Sequence, residues 1–249
     1  MIELKSRRDI ERLLTCNRIV AEILLHLKEA IRPGITTWDL EELADRLLKE
    51  RKVRGAFKGL YDFPCNLCVS LNSEVVHGIP SPERYIKEGD IVSLDFGVVM
   101  DGYYGDSALT VPAGEISEEA RRLIEVTQQS LYIGIEQARV GNRISDISHA
   151  IQTYVEGNGF SVVRQFVGHG IGRKPHEPPQ VPNFGRPGLG VKLEAGMVLA
   201  IEPMVNAGGP WVDILPDGWT AVTRDGSLSA HFEHSVAITE EGPLILSQL

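Results

Sequence analysis

Asp95 stands in the run IVSLDFGVV, among residues whose apolar character otherwise marks a core. A buried carboxylate without a partner costs several kcal/mol, so this one requires a hydrogen-bond donor or a cation. Asp101-Gly102 has the composition of a two-residue hairpin turn, which predicts that Met100 pairs with Tyr103 and Gly97 with Asp106. Asp95 is two residues from Gly97 and shares its face, so Asp95 and Asp106 become diagonal neighbours about 7–8 Å apart. No Lys or Arg lies on either strand to separate the two charges. Two more acids sit in apolar strand-like runs, Glu202 in LAIEPMV and Glu233 in HFEHSV. Capping of turns or pairing with distant Arg residues accounts for one such acid but poorly for four. Two divalent cations would neutralise all four.

A nitrogen donor is available in FVGHGIG, where His169 lies between glycines that permit close backbone approach. His77 in VVHGIP and His176 in KPHEPP are candidates for proton transfer or for stabilising an oxyanion. His26, His149, His231 and His234 read as surface or packing residues. Cys65 and Cys68 form a lone CxxC with no second Cys or His pair nearby, which argues against a structural zinc. With Cys16 they make three cysteines, too few for a disulfide framework and suited to a reducing compartment.

The elements that must hold these residues follow from pattern. Ser6 and Asp9 make a helix cap, and apolar residues from Ile10 to Leu25 recur at helical spacing until Arg32-Pro33-Gly34. Thr36 or Thr37 caps a second helix, WDLEELADRLLKERK, and LCVSL reads as a short strand before the hairpin. Ser117 caps a helix to about Ala138, and another spans roughly Asp146 to Glu156. Gly168 to Gly190 reads as a Gly/Pro-rich loop, and three or four strands finish the chain, MVLAIEPMV and HFEHSVAIT among them.

GITTWDL at Gly34 is matched by GNRISDI at Gly141, 107 positions later. The same offset takes Gly89 to Gly196 and Asp95 to Glu202. Two matches at one offset predict a duplicated α+β unit, with Asp95 and Glu202 placed symmetrically at the seam, a natural position for a site.

The 249 residues are 43% hydrophobic, enough for a sizeable core, and carry a formal net charge of −9. That acidity, with a pI near 5.3, disfavours nucleic acid or an anionic membrane as the direct partner. No stretch approaches the length of a membrane span, and the charged MIELKSRRDIERLL lacks the apolar centre of a signal peptide, so a cytoplasmic protein is expected.

Taken together, VVHGIP, LDFGVVMDGYYGDSA, GHGIGRKPHEPP, AIEPM and FEHSVAIT resemble the methionine aminopeptidases, the short bacterial type I form, over nearly the whole chain. The resemblance implies the pseudo-two-fold "pita-bread" α/β (α+β) fold, a central antiparallel sheet flanked by helices. It also implies one catalytic domain, residues 1–249, of two halves of about 1–110 and 111–249. It further implies two divalent metals (Mn, Fe(II), Co or Zn), with Asp95 on one, His169 and Glu202 on the other, and Asp106 and Glu233 on both. Glu202 would also move a proton, His176 would stabilise the oxyanion, and His77 would contact the scissile amide. Phe63, Cys68, His77 and Trp219 match the methionine pocket, and Asn72 and Ser229 a monovalent-cation site. The implied substrates are nascent polypeptide N-termini at the ribosome, with a small second residue. Two positions depart from the family pattern: Pro175 replaces an aromatic and Leu60 a Tyr, both expected in the pocket wall.

Two rival readings share the fold. X-prolyl aminopeptidases and prolidases usually carry an extra N-terminal domain, whereas Asp95 here follows only a short helical lead-in. A metal-free binding module of the same fold would be expected to lose ligands or catalytic histidines, and all seven candidates are present.

Overall fold

Residues 2–249 are described by a computed structural model. Ser6 and Asp9 exchange hydrogen bonds as a capping box at the head of α1 (Arg7–Ala30). Thr36 and Asp39 do the same for α2 (Thr37–Arg51). The Ser117 hydroxyl accepts from Ala120 N at the start of α3 (Glu118–Glu136), and α4 spans Ile144–Gly157.

The strands before α3 are β1 (Arg54–Gly55), β2 (Leu67–Leu71), β3 (Glu74–Val76), β4 (Ile91–Met100) and β5 (Tyr103–Pro112). Past α4 come β6 (Ser161–Val162), β7 (Gly168–Gly170), β8 (Glu177–Val181), β9 (Val198–Ile201) and β10 (Met204–Asn206). The chain closes with β11 (Val212–Ile214), β12 (Ala221–Thr223), β13 (Ser229–His231), β14 (Glu233–Thr239) and β15 (Gly242–Ile245). Among the described residues, nine strands form one antiparallel sheet in the order β1-β4-β5-β14-β9-β7-β8, with β2 added on β4 and β15 on β14. The sets β13-β10-β6 and β11-β12-β3 make two small sheets.

The predicted hairpin register holds: Met100 pairs with Tyr103 and Gly97 with Asp106. Asp101 and Gly102 take the positive φ values, 52° and 77°, that a primed two-residue turn requires. Three expectations need correction. MVLAIEPMV is not one strand: β9 ends at Ile201 and β10 begins at Met204 in a different sheet, because Pro203 has no N–H to extend the ladder. HFEHSVAIT likewise divides at Phe232 between β13 and β14. The Gly168–Gly190 segment holds β7 and β8 rather than loop alone.

Each helix pair packs on its own part of the large sheet. Val20, Ile23 and Leu27 of α1 and Leu40 and Ala44 of α2 meet Leu67, Val92, Leu94 and Phe96. Leu123, Leu131, Ile147 and Ile151 of α3 and α4 meet Leu199, Ile201, Val236 and Ile238. The turns leading into these units repeat. Gly34 N donates to Ile86 O as Gly141 N does to Leu193 O, and Thr37 N donates to Arg84 O as Ile144 N does to Val191 O, each pair 107 positions apart. Gly34 and Gly141 share a positive φ, 94° and 96°.

Candidate metal centre and active site

Register gathers four of the five candidate ligands, and Glu202 follows directly on the end of β9. Paired residues point to the same face of a sheet, as do residues two apart on one strand. Asp95 on β4 and Glu233 on β14 both pair with Ala108 on β5, forming one row. In the next row Asp106 pairs with Gly97, its carbonyl accepts from the Ser235 hydroxyl at 2.9 Å, and Ser235 and His169 both pair with Ala200. Glu202 follows Ile201, whose partner His234 adjoins Glu233. The interleaved residues are Gly, Ala and Ser, so the face is hollow where the acids converge.

Asp106, His169 and Glu233 offer donor atoms within 4.8 Å of one another. His169 Nε2 lies 3.4 Å from Glu202 Oε1, while its Nδ1 is 3.0 Å from Gly170 O. A proton on Nδ1, held by that carbonyl, leaves the Nε2 lone pair facing the carboxylates. Asp106 and Glu233 are 5% and 2% exposed, and Asp95 Oδ1, Asp106 Oδ1 and Glu233 Oε1 are buried without hydrogen-bond partners. Burial pushes all four carboxyls above their ordinary range, Asp95 and Glu202 to about 7, and neighbouring acids raise Asp106 and Glu233 further. Four raised carboxyls, three orphaned oxygens and one oriented imidazole nitrogen are the donor set of a divalent cation site. The residues fit the group.

The cluster opens into a cleft of about 610 Å³. Phe63, Cys68, His77 and Trp219 line it, with Phe57, Val76, Phe166 and Met204 also on its walls. Trp219 meets Phe63 edge-on at 5.1 Å between ring centroids, and the His77 ring lies edge-on to Phe166 at 5.4 Å. Burial lowers the His77 pKa to about 4 and also lowers that of His176, so both rings are neutral at neutral pH. The His176 ring stands edge-on to His169 at 4.5 Å and stacks with Tyr61 at 6.2 Å.

Leu60 lines the cleft as expected, but Pro175 is not among the residues that line it; Tyr61 presents its ring beside His176 instead. The monovalent-cation pair is brought together, Ser229 N donating to Asn72 O at 2.8 Å. The Asn72 side chain, however, is committed to Asp90 and Ile91 N, and the Ser229 hydroxyl donates to Asn206 Oδ1 at 2.9 Å. Cys65 and Cys68 are free, buried thiols whose pKa burial raises, and among the described residues no cysteine joins a metal-type cluster.

Sequence reasoning missed three residues. His231, 1% exposed, places Nε2 3.7 Å from Glu202 Oε2, and neither ring nitrogen has a partner. Its position two residues before Glu233, on the same face when HFEHSVAIT is read as one strand, was the available signal. Asn183 donates to Glu202 O at 3.0 Å, and Asn17 of α1 accepts from Asp106 N at 3.2 Å; neither carries a local signature.

A carboxylate–imidazole cluster at the floor of an apolar cleft, carried on this curled antiparallel sheet, defines a metallopeptidase, and the chain belongs to metallopeptidase family M24, whose profile matches residues 11–240. It is 56% identical to the methionine aminopeptidase of Clostridium perfringens over 247 residues, 99% of either chain. It is 51% identical to methionine aminopeptidase 1 of Bacillus subtilis over the full length of both. The crystal structure of the Thermotoga maritima methionine aminopeptidase superposes with a TM-score of 0.98 at 48% identity, covering all of both chains. The pita-bread architecture is therefore the fold of this chain. Divalent-metal hydrolysis is its chemistry.

Proposed function

We propose that this chain removes the initiator methionine from nascent polypeptides with a small second residue, acting at the ribosome in the cytoplasm. The observation that carries this reading is five metal-type side chains, Asp95, Asp106, His169, Glu202 and Glu233, lining one cleft with Phe63, Cys68, His77 and Trp219. The relatives above support it over the prolidase reading, and the complete donor set supports it over a metal-free module. No helix among the described residues is long and apolar enough to cross a membrane.

Asp95, Asp106, His169, Glu202 and Glu233 would hold the divalent ions, and Mn, Fe(II), Co and Zn all suit that donor set. When bound, divalent ions there would supply an activated water and a polarised scissile carbonyl. The substrate's free α-amine would supply a remaining donor to one of the ions, which restricts the enzyme to N-termini. Glu202 takes the proton of the attacking water and returns it to the leaving amine. Neutral His176 donates to the developing oxyanion, and neutral His77 to the scissile amide. Phe63 and Trp219 give the methionine thioether aromatic contacts worth about 0.3–1.5 kcal/mol each. The chain forms one catalytic domain of two halves, about 1–110 and 111–249, a reading supported by the repeated hydrogen bonds leading into α2 and α4. Asn72 and Ser229 flank a monovalent-cation position.

Hydrolysis of Met-Ala-Ser and an Ala-Pro peptide, run beside metal analysis of the purified protein, tests the proposal. Cleavage of the first alone with two divalent ions per chain is expected. Cleavage of Ala-Pro alone, or activity without metal, sinks it.

A further inference from the structure

The loop 172–177 that carries His176 is held by a residue outside the cleft. Lys5, in the segment before α1, is buried, and its Nζ donates to Glu177 Oε2 at 2.7 Å, an ion pair with side chains 3% and 11% exposed. Glu177 Oε1 accepts from Arg173 N at 2.7 Å and Lys174 N at 3.0 Å. One carboxylate therefore closes the loop on itself and ties it to the N-terminal segment. Gly172 makes room for the tie, since a Cβ there would collide with the Lys5 side chain and lie 2.9 Å from Glu177 Oε1. Lys5 is anchored in turn: its N donates to Gly196 O at 2.7 Å, and Ile2 packs against the α3–α4 core. A second tie lies alongside, with the Arg173 guanidinium 4.0 Å from the Tyr103 ring centroid and the Tyr103 hydroxyl donating to Asp9.

We propose that Lys5 is a positioning residue for catalysis, acting through Glu177 to fix the His176 ring where the oxyanion forms. This rests on the role given to His176 above. Loss of the cation leaves Glu177 free to turn toward water and the loop free to relax, so His176 loses its aim while the ligands on β4, β5, β7 and β14 stay in place. Displacing a catalytic group by about 1 Å costs on the order of 100-fold.

The test compares Lys5→Met, His176→Ala and the double variant on Met-Ala-Ser, with metal affinity measured calorimetrically on the chelator-stripped protein. It adds amide hydrogen exchange at Arg173 and Lys174. For Lys5→Met, kcat should fall roughly 10- to 100-fold, with KM and metal affinity near those of the unaltered chain and faster exchange at those two amides. In the His176→Ala background Lys5→Met should cost nothing further, because coupled residues are not additive. Additive losses, lost metal, or unaltered exchange and kcat overturn the proposal. Full activity in His176→Ala alone overturns the His176 reading instead, while the exchange result still reports on the Lys5 tie. If Lys5→Met does not fold, Glu177→Gln replaces it: the amide oxygen still accepts from both backbone N–H groups, while the NH2 that takes the place of Oε2 is a donor and cannot accept from Lys5 Nζ, so the tie alone is broken.

Discussion

At the scale of single residues, the proposed mechanism asks two jobs of Glu202, which has two differently placed oxygens. Oε1 faces His169 at 3.4 Å and Oε2 faces His231 at 3.7 Å, so each has a defined neighbour. Glu202→Gln preserves shape and removes the proton-accepting charge; we expect a folded protein in which kcat falls far more than KM, and near-normal kcat would take the proton shuttle away from Glu202. Asp106 differs, being 5% exposed with an orphaned Oδ1. Asp106→Ala should lose metal and turnover together, by metal analysis and peptide assay; survival of both would defeat the two-metal arrangement. His77→Ala and His176→Ala should keep their metal and lose activity, and metal loss in either would make that residue a ligand. Pro175→Phe should leave the methionine-to-norleucine preference unchanged, because Pro175 does not line the cleft.

At the scale of elements, the site depends on short strands lying close together. β7 is three residues long, Gly168–Gly170, and both glycines face backbone at their Cα positions. An added Cβ would press on Ala200 O at Gly168 and on Pro178 O at Gly170. Gly170→Ala must therefore move β8 away from β7 and turn the His169 ring with it. We expect a loss of about 1–3 kcal/mol in denaturant-induced unfolding and weaker metal binding, and an unchanged metal affinity would show that β7 tolerates the shift. The hairpin β4–β5 was readable in advance because Asp101-Gly102 admits few turn geometries and the period of two then assigns every face. The break at Phe232 was not, since nothing in HFEHSVAIT marks a change of sheet, while Pro203 was a signal that reading MVLAIEPMV as one strand passed over.

At the scale of the whole molecule, one cluster couples folding to metal and pH. Without metal, burial favours protonated carboxyls: Asp95 and Glu202 titrate near 7 when folded, against ordinary values of 3.8 and 4.5. A raised carboxyl pKa adds stability that is complete below the unfolded value and disappears as pH climbs through the folded one. The chelator-stripped protein should thus lose stability from about pH 4 to above pH 7. Bound cations neutralise the same charges and remove that loss. The difference in Tm between metal-loaded and stripped protein should widen from pH 5 to pH 8; a difference independent of pH would mean that the acids are not the linked groups.

The residue types of the site were determined by sequence alone, because an acid in an apolar strand has few uses and four of them with a Gly-flanked His have fewer. Turn chemistry and strand period were enough to put Asp95 and Asp106 on one face, and the 107-position offset pointed to Glu202. Only the tertiary structure decided which distant residues support them. His231 faces Glu202, Asn183 holds its carbonyl, and Lys5 reaches Glu177 across 172 positions of sequence. Such partners are selected by where separate strands and loops end in space, and no local periodicity or spacing encodes that.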